Sequence, residues 1–391
     1  MRSSVKYAAM AALALGISAW AQNASVLFPK ESDAGVVLET NVHLIRIVTI
    51  ADNLEHPWGL TVLPDGGMLV TEQPGRLRLI RNGVLQPQPI PGTPEVRFVR
   101  HGGLWDVALH PDFATNHWIY MAYAKAGARG ATVAVMRARF DGKQLTEGRD
   151  IFIADAWSDT DLNFGCRLLF GRDGMLYISV GDRDERERAQ NPGDHAGKVL
   201  RLKDDGTVPN DNPFVGRPGF KPEIYSYGHR NPQGLTINPQ TGAIWESEHG
   251  PLGGDEVNII QPGKNYGWPV VTYGREYNGD PITDQPVRAG MEPPRFYWVP
   301  SIGISGITFY TGNRFPGWKG FLFVSGLSGM MLQRVRLQGE GTAERESMLT
   351  PLRERVRDVR QGLDGLLYVV IDGEYSRPED SGKVLRIQPS D

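Results

Sequence analysis

The sequence predicts an all-β protein, a six-bladed β-propeller with long loops on one face. Three observations support this prediction: a turn followed by an alternating apolar strand recurs six times, glycine and proline are abundant, and no long helical period interrupts the pattern. Glycine accounts for 47 of the 391 residues and proline for 28, or about 12% and 7% against averages near 7% and 5%. Turn-dense chains without helical periodicity are usually all-β.

Residues 1–21 have the features of a secretory signal peptide. Arg2 and Lys6 form a basic head, a largely apolar run follows, and Ala19-Trp20-Ala21 is an A-x-A cleavage site. A transmembrane anchor is the alternative, but the apolar run is shorter than the ~20 residues that a membrane span needs. The sequence therefore predicts a periplasmic or secreted mature chain, residues 22–391, with no membrane anchor.

The six repeats each begin with a turn that contains glycine or proline. Asp-Gly turns suit strand-to-strand connections because glycine tolerates positive φ. The turns occupy residues 63–67, 110–113, 171–174, 238–242, 315–320 and 362–365. Several copies continue into another strand in which basic and apolar residues alternate: residues 76–80, 198–202, 334–337 and 383–387.

The spacing of the repeats favours a propeller over other all-β folds. Six copies in a mature chain of about 370 residues leave roughly 60 residues each, and a four-stranded blade needs about 40–45 residues plus loops. Two β-sandwich domains are the alternative, but no composition shift or linker divides the chain. We therefore expect residues 22–391 to form a single propeller domain.

Charge and cysteine content exclude some functional classes. The formal net charge is −3, which argues against a nucleic-acid-binding protein because such proteins need a basic surface. Cys166 is the single cysteine, so neither an internal disulfide nor a cysteine-based zinc site is possible. In an oxidising compartment we expect this thiol to be buried.

Polar, glycine-rich stretches concentrate between residues 181 and 277, where we expect the functional loops. Closely spaced carbonyls from Gly250 onward, with Asp255 and Glu256, suit a hard cation such as calcium; a capped turn with solvated acids is the alternative. Arg230 beside Asn231 suits an anion, because a guanidinium matches carboxylate geometry; a structural arginine bonded to loop carbonyls is the alternative.

Several motifs, in matching order, resemble the glucose/sorbosone dehydrogenase family of soluble aldose sugar dehydrogenases. The resemblance extends from about residue 47 to 388. The motifs are HPWGLTVLPDGGMLVTEQPGRLRLI, GGLWDVALHPDF, GDRDERERAQNPGDHAGKVLRLKDDGTVPNDNPF, YGHRNPQGL, SEHGPLGGDEVNII, GKNYGWP and RVRDVRQGLDG. The resemblance implies a six-bladed propeller that binds pyrroloquinoline quinone (PQQ) and calcium, oxidises the anomeric hydroxyl of aldoses to lactones, and passes electrons to an external acceptor.

The resemblance also implies roles for individual residues at the quinone. Arg230 and Asn231 stand where the family contacts PQQ, and the arginine polarises the reactive carbonyl of the quinone. Tyr277 stands where an aromatic residue lies against the cofactor.

Two calcium sites follow from the same resemblance. The backbone carbonyls of Gly250 and Pro251 stand where the family holds the calcium next to PQQ. Glu256 and Tyr266 stand where it holds a second calcium.

The stretch 162–167 departs from the family at its catalytic position. The family's general base is a histidine four residues before an arginine; counting back from Arg167, this position is Asn163. An amide cannot accept a proton near neutral pH. His101, which stands at a family glutamine position that faces the cofactor, is the candidate replacement base because an ordinary histidine titrates near 6.5.

A second departure concerns the cations that the family places against the three PQQ carboxylates. Residues 326–331 carry no lysine or arginine. Thr311 stands where some members have a lysine and is taken here as a cofactor-binding position. Arg275 is a candidate replacement for the missing cation.

These departures divide the functional hypotheses. The first hypothesis is an active PQQ- and calcium-dependent dehydrogenase of an aldose or related polyol with a rearranged base. The second is a catalytically silent propeller that binds a sugar, a quinone or a protein. A calcium-dependent lactonase is disfavoured, because only Asp255 and Glu256 cluster in the sequence.

Overall fold

Six antiparallel sheets form the body of the molecule. The structure is a computed structural model that describes residues 35–339, 341–373 and 381–390, and within these residues it contains 25 strands. The predicted signal peptide and residues 22–34 lie outside the described residues. No helix in the described part is long and apolar enough to cross a membrane.

The strands follow the order of the blades along the chain. The described chain starts with β1 (Val36–Glu39) and β2 (Leu44–Leu54). Blade 1 contains β3 (Pro57–Val62), β4 (Met68–Glu72), β5 (Arg76–Arg81) and β6 (Val84–Leu85). Blade 2 contains β7 (Leu104–Leu109), β8 (Trp118–Gly127), β9 (Gly130–Phe140) and β10 (Leu145–Ile153), with a single helical turn α1 (Phe113–Asn116). Blade 3 contains β11 (Gly165–Phe170), β12 (Leu176–Val180), β13 (Lys198–Leu202) and β14 (Ile224–Tyr227).

The second half of the chain repeats this arrangement. Blade 4 contains β15 (Pro232–Ile237), β16 (Ile244–Glu248), β17 (Asp255–Ile260) and β18 (Phe296–Trp298). Blade 5 contains β19 (Ile304–Phe309), β20 (Leu322–Gly326), β21 (Met331–Gln338) and β22 (Gly341–Met348). Blade 6 contains β23 (Arg355–Gln361), β24 (Leu367–Asp372) and β25 (Gly382–Pro389). Short 3-10 turns lie at Arg186–Gln190, Pro316–Trp318 and Thr350–Leu352.

The blades close into a ring, which confirms the six-bladed propeller and excludes two β-sandwiches. The first strand of each blade contacts the first strand of the next, in the cycle β3, β7, β11, β15, β19, β23 and back to β3. Both chain ends contribute to blade 6, because β2 pairs with β25 and β1 pairs with β2. Closing the ring in this way leaves no open edge between the first and last blades.

The six predicted turns each join the first and second strands of one blade. Gly66, Gly174 and Gly365 have φ values of 84°, 75° and 73°, the left-handed region that glycine tolerates. The carboxylate of the aspartate before each glycine stabilises the turn, because it accepts the backbone N–H two residues after the aspartate. The distances are 2.9 Å at Asp65, 3.1 Å at Asp173 and 3.0 Å at Asp364. The basic-apolar runs predicted from the sequence form the third strands β5, β13, β21 and β25.

The centre of the ring is held by buried ion pairs and apolar residues. Nη1 of Arg167 lies 3.1 Å from Oδ1 of Asp106 and 3.1 Å from Oδ2 of Asp358, which joins the inner strands of blades 2, 3 and 6. Cys166 is completely buried, as predicted, and its thiol contacts the Phe164 carbonyl. Burial raises the pKa of this thiol well above its ordinary value, so the cysteine is unreactive.

Strand direction places the functional loops at one end of the ring. In an antiparallel four-stranded blade, the connection before the first strand and the connection after the second strand share one end. Residues 86–103, 154–164 and 181–197 form long connections at this end. Two long connections, residues 203–223 and 261–295, leave from the opposite end, and the second returns to the cavities, which Tyr277 lines.

Candidate active site

A cavity of about 350 Å³ lies where the six inner strands begin. Every blade contributes to its walls. Representative lining residues, one from each blade, are Trp58, His101, Asn163, Arg230, Ser301 and Arg357. Convergence of all six blades on one cavity makes this the candidate active site.

A second cavity of about 540 Å³ adjoins the first. The two share five lining residues: His101, Asn163, Arg230, Pro251 and Tyr277. Asp182, Asp184, Arg186 and Glu276 give this outer chamber a polar lining. The inner cavity and the outer chamber therefore form one continuous site with a polar entrance.

Asn163 is buried between the two cavities. It precedes β11 with a φ of 45°, and its amide Nδ2 donates to Oδ1 of Asp182 at 3.0 Å. Asp182 also accepts hydrogen bonds from the Trp268 indole at 2.7 Å and the Asp184 backbone at 2.9 Å. Burial raises the pKa of Asp182. The structure thus places the Asn163 amide where the cavities meet, and the Asp182 carboxylate fixes its orientation by a hydrogen bond.

His101 lies beside Asn163 and faces both cavities. Its Nδ1 accepts the backbone N–H of Asn163 at 3.3 Å, and its carbonyl accepts the Trp105 indole at 2.8 Å. In this arrangement the neutral ring carries its proton on Nε2. The ring is accessible through the open cavity, but the surrounding protein desolvates it, and together with Arg357 and Arg100 this lowers the pKa of His101 to about 4.

Arg230 is held rigidly at the floor of the site. Its Nη1 donates to the carbonyls of His249 at 3.1 Å and Gly250 at 2.9 Å, and its Nη2 lies 3.4 Å from the Tyr277 hydroxyl. The guanidinium also lies over the Trp268 ring, 5.5 Å from its centroid. Arg230 is therefore bonded to loop carbonyls, as one interpretation of the sequence expects, and it also lines both cavities, while anion binding stays a prediction.

Asn231 and Tyr277 also line the inner cavity, as the sequence predicts. Asn231 is buried, and its Oδ1 accepts the backbone N–H of Gly165 at 3.0 Å, which ties blade 4 to blade 3. Tyr277 is 73% exposed at the cavity mouth. Its ring therefore covers the site from the solvent side.

The inner cavity is also lined by two arginines to which the sequence assigns no role. Arg355 and Arg357 lie two residues apart at the start of β23, and both side chains line the cavity, although the pairing of β23 with β24 shifts register between Val356 and Asp358. Arg357 donates to Gln233 at 2.8 Å and to Asp372 at 2.9 Å. Their alternation within the RVRDVR motif is the signal that could have identified them.

Two residues that the sequence predicts to contact the cofactor do not line either cavity. Thr311 follows β19 at the end of the ring away from the cavity, where its backbone N–H and hydroxyl donate to Gln361. Arg275 donates to the Gly279 carbonyl at 3.2 Å and lines neither cavity. Arg355 and Arg357, rather than these residues, supply positive charge to the inner cavity.

The loop after β16 presents its backbone to the inner cavity. Gly250 and Pro251 both line the cavity, and the Gly250 carbonyl already accepts a hydrogen bond from Arg230. Asp255 is buried rather than solvated: it accepts hydrogen bonds from Gly250, Ser301, Ile302 and Ile304. This carboxylate fixes the shape of the loop and is not free to face a ligand.

Glu256 and Tyr266 line a separate void of about 10 Å³, behind Arg230. This volume holds about one water-sized particle. The Tyr266 hydroxyl donates to the Ile259 carbonyl and accepts the Gln261 N–H at 2.9 Å, so it is already engaged. Burial and the neighbouring Glu248 raise the pKa of Glu256 well above its ordinary value. An anionic Glu256 therefore needs a cation in this void.

His249 completes the inner cavity. Its Nε2 is buried and has no hydrogen-bond partner among the described residues. Burial and Arg230 lower the pKa of His249 well below its ordinary value, so the ring is neutral. The ring therefore lines the cavity as a neutral group, while its Nε2 atom is shielded from it.

Comparisons with known proteins agree with this geometry. Residues 54–386 match the family described as Glucose / Sorbosone dehydrogenase. The chain is 40% identical to aldose sugar dehydrogenase YliI of Escherichia coli (strain K12) over 351 residues, which cover 88% of this chain and 93% of that protein. It is 27% identical to quinoprotein glucose dehydrogenase B of Acinetobacter calcoaceticus, covering 86% of this chain and 87% of that protein.

Solved structures show the same architecture. The apo-form crystal structure of soluble aldose sugar dehydrogenase from Escherichia coli matches with a TM-score of 0.84 at 40% identity, covering 88% of this chain and 100% of that chain. The PQQ-bound aldose sugar dehydrogenase from Streptomyces coelicolor matches with a TM-score of 0.73 at 28% identity, covering 88% and 98%.

Proposed function

Because the chain belongs to the glucose/sorbosone dehydrogenase family, we propose that it is a periplasmic or secreted sugar dehydrogenase that uses PQQ and calcium. It oxidises an aldose, or a related polyol, to the lactone. The observation that carries this proposal is the grouping of Arg230, Arg355 and Arg357 around one cavity that all six blades enclose. The PQQ-bound relative with the same fold supports the choice of cofactor.

The residues present fit an anionic, planar cofactor. PQQ carries three carboxylates, and arginine recognises carboxylates through paired hydrogen bonds. Arg355 and Arg357 would hold these carboxylates, while Asn231 offers a further hydrogen bond. Arg357 is itself oriented by Asp372 and Gln233, so its position is fixed before the cofactor binds.

The protein contributes orientation and electrostatics to the reaction. PQQ, if bound here, would supply the acceptor for the hydride of the substrate carbon that carries the hydroxyl group. Arg230 stabilises negative charge at the floor of the site, because its guanidinium is held by two carbonyls and cannot reorient. The outer chamber binds the sugar next to His101 and Asn163, through polar groups suited to hydroxyls.

The hydroxyl proton of the substrate needs an acceptor on the protein. Asn163 is not basic, and its amide is committed to Asp182. His101 is the available group, but its low pKa makes it a weak base, and its Nδ1 lone pair already accepts the Asn163 N–H. We therefore expect turnover to be slow compared with an enzyme that has a histidine at position 163.

The pH dependence of kcat tests the role of His101. A base is active when deprotonated, and the pKa of His101 is about 4, so we expect kcat to be flat between pH 5 and 8 and to fall as pH drops through about 4. Dye-coupled rates in overlapping buffers, with circular dichroism to confirm that the protein stays folded, provide the measurement. An inflection between pH 6 and 7 would contradict proton transfer to His101.

Calcium removal tests the two proposed calcium sites. A ligand that binds only the native state stabilises it by about 2.7 kcal/mol at 100 times its Kd, so we expect a chelator to lower Tm by a few degrees. Glu256→Gln should reduce this shift, since it removes the carboxylate that lines the small void. The exposed Glu147→Gln provides a matched control. A Tm insensitive to chelator would refute calcium binding.

Asn163 also favours a second function, a silent propeller that binds a sugar, a quinone or a protein. The same experiment separates the two functions: sugar oxidation by the mature chain, coupled to a dye, with added PQQ and calcium. We expect measurable oxidation of at least one aldose or polyol. PQQ binding without oxidation of any of them would favour the silent binding protein.

A further inference from the structure

A buried polar cluster lies behind the active site, between β14, β15, β16 and β17. It consists of Glu246 and Glu248 on β16, Asn258 on β17, and His229 just before β15. Glu246 and Glu248 are two residues apart and share one face of their strand. Asn258 pairs with Glu246 across the sheet. One side-chain ligand atom from each of His229, Glu246 and Glu248 lies within 4.8 Å of the others.

The hydrogen bonds of the cluster leave two oxygen atoms without partners. Nδ2 of Asn258 donates to both Glu246 and Glu248 at 3.0 Å. His229 contacts Glu248 through Nδ1 at 3.1 Å and Ser226 through Nε2 at 2.8 Å. Oε1 of Glu246 and Oδ1 of Asn258 have no partner among the described residues, and both residues are completely buried. Buried oxygens without partners are rare in native proteins.

The cluster also lacks compensating positive charge. Within the described part of the chain, the ion-pair partner of Glu246 is His229 at 4.0 Å, and no lysine or arginine pairs with it. Glu256 lies near enough to act on Glu246 electrostatically, so three carboxylates share one buried region. A buried carboxylate is costly unless a cation or a proton compensates it.

We propose that Glu246, Glu248, His229 and the amide oxygen of Asn258 form a buried site for one divalent cation. Donor atoms that bind a common ion at 2.0–2.4 Å lie at most about 4–5 Å apart, which agrees with the 4.8 Å limit in this cluster. A half-turn of the Asn258 amide exchanges its oxygen and nitrogen, and brings the unpartnered Oδ1 between the two carboxylates.

The donor set indicates which cation binds. One imidazole with two carboxylates and an amide oxygen suits Zn²⁺ or Mn²⁺ better than calcium, which prefers oxygen donors alone. The ion takes the lone pair of Nδ1 of His229, so the one proton of the neutral ring lies on Nε2. This N–H then donates to the Ser226 hydroxyl, as the second ring nitrogen of a metal-bound histidine usually does to a neighbouring group.

This site adjoins the proposed second calcium site, because Glu248 also lines the small void at Glu256, but its other ligands differ. Neither Glu246 nor His229 lines the inner cavity or the small void at Glu256. Glu248 connects the cluster to the active site, because its second carboxylate oxygen accepts the backbone N–H of Arg230. The cation would therefore hold the segment that carries Arg230, whether or not the protein turns over sugar.

Metal analysis of the full mature chain tests the proposal. The protein is stripped with chelator, saturated with calcium, titrated with Zn²⁺ and desalted before elemental analysis. We expect the wild type to retain one tightly bound zinc, and Glu246→Gln to bind it at least 100-fold more weakly. Glu147→Gln, an exposed acid paired with Arg139, should behave as wild type. A wild type that retains no zinc, or a Glu246→Gln protein with unchanged affinity, would overturn the site.

A second variant keeps the test decisive if Glu246→Gln does not fold. Asn258→Asp adds a carboxylate oxygen at the position of the amide, and we expect it to raise zinc affinity tenfold or more. The same variant should melt at a lower temperature than wild type without metal, because it adds uncompensated charge, and should be rescued by Zn²⁺. Unchanged or weaker zinc binding by this variant would count against the proposal. Neither readout depends on sugar oxidation or on PQQ.

Discussion

Asn163→His is expected to raise kcat for sugar oxidation by about 10²–10⁴-fold, the usual contribution of a positioned general base. The new imidazole would occupy the place of an amide that now donates to Asp182 at 3.0 Å. Asp182 would then accept a ring N–H, fix the tautomer and leave the other nitrogen free to take the substrate proton. The left-handed φ of 45° at this position is one that histidine tolerates.

Two further variants isolate the cause of such a gain. Asn163→Gln keeps an amide and should leave kcat near the wild-type value. Asp182→Asn in the Asn163→His protein should remove most of the gain, because the carboxylate no longer orients the ring. The gain should be accompanied by a new inflection in the pH profile of kcat near 6.5. A folded, PQQ-loaded Asn163→His protein that is no faster than wild type with any aldose or polyol would reject this account of the lost base.

Replacing Arg355 and Arg357 together with glutamine is expected to weaken PQQ binding by about 10²–10⁴-fold. Each charge-assisted hydrogen bond contributes about 1.5–3 kcal/mol, and every 1.4 kcal/mol is a factor of ten in Kd. Both arginines line the inner cavity from the start of β23, the first strand of blade 6. The measurement is equilibrium titration of each protein with PQQ at saturating calcium.

Controls separate lost binding from lost stability. Arg357 is bonded to the buried Asp372, so its removal leaves an uncompensated carboxylate and should also lower Tm. Arg357→Lys retains a partner for Asp372 and should weaken PQQ binding without this loss of stability. Arg336→Gln removes a charge from an exposed site outside the cavity and should bind PQQ as wild type does. An unchanged Kd in the double variant would show that the cofactor is held elsewhere.

Local sequence signals were sufficient to predict the fold. Each of the turns at Gly66, Gly174 and Gly365 needs a glycine with positive φ. Each also needs an aspartate whose carboxylate accepts the backbone N–H two residues later. Both features involve only a few adjacent residues, so the sequence reveals them. Together with the turns at 110–113, 238–242 and 315–320, which lack this aspartate–glycine unit, these turns make six, one for each blade. The closure of blade 6 by β2 was not predicted, because strand pairing between the two ends of the chain leaves no local signal.

The candidate site was predicted less completely, because it is assembled from separate blades. His101, Asn163, Arg230 and Tyr277 were identified by motif and do meet at one site. Thr311 is assigned by its resemblance to a family lysine position, yet it lies beyond the far end of β19. The cations come instead from β23, where Arg355 and Arg357 enter the cavity only because the ring closes.

The buried cluster shows the same limit. The sequence places Asp255 beside Glu256, but only the pairing of β16 with β17 brings Glu246 and Glu248 next to Asn258 and Glu256. The Asp255 carboxylate accepts hydrogen bonds from four donors, so it is not available as a ligand of the proposed cation. Cross-strand register, which composition and spacing do not reveal, decides which carboxylates meet.

The central claim is that the inner cavity binds PQQ with the help of calcium, and a binding titration of the mature wild-type chain tests it most directly. We predict saturable binding of one PQQ per chain in the presence of calcium, and weaker binding after calcium is removed by chelation. Absence of saturable PQQ binding to the folded protein, with or without calcium, would contradict the claim.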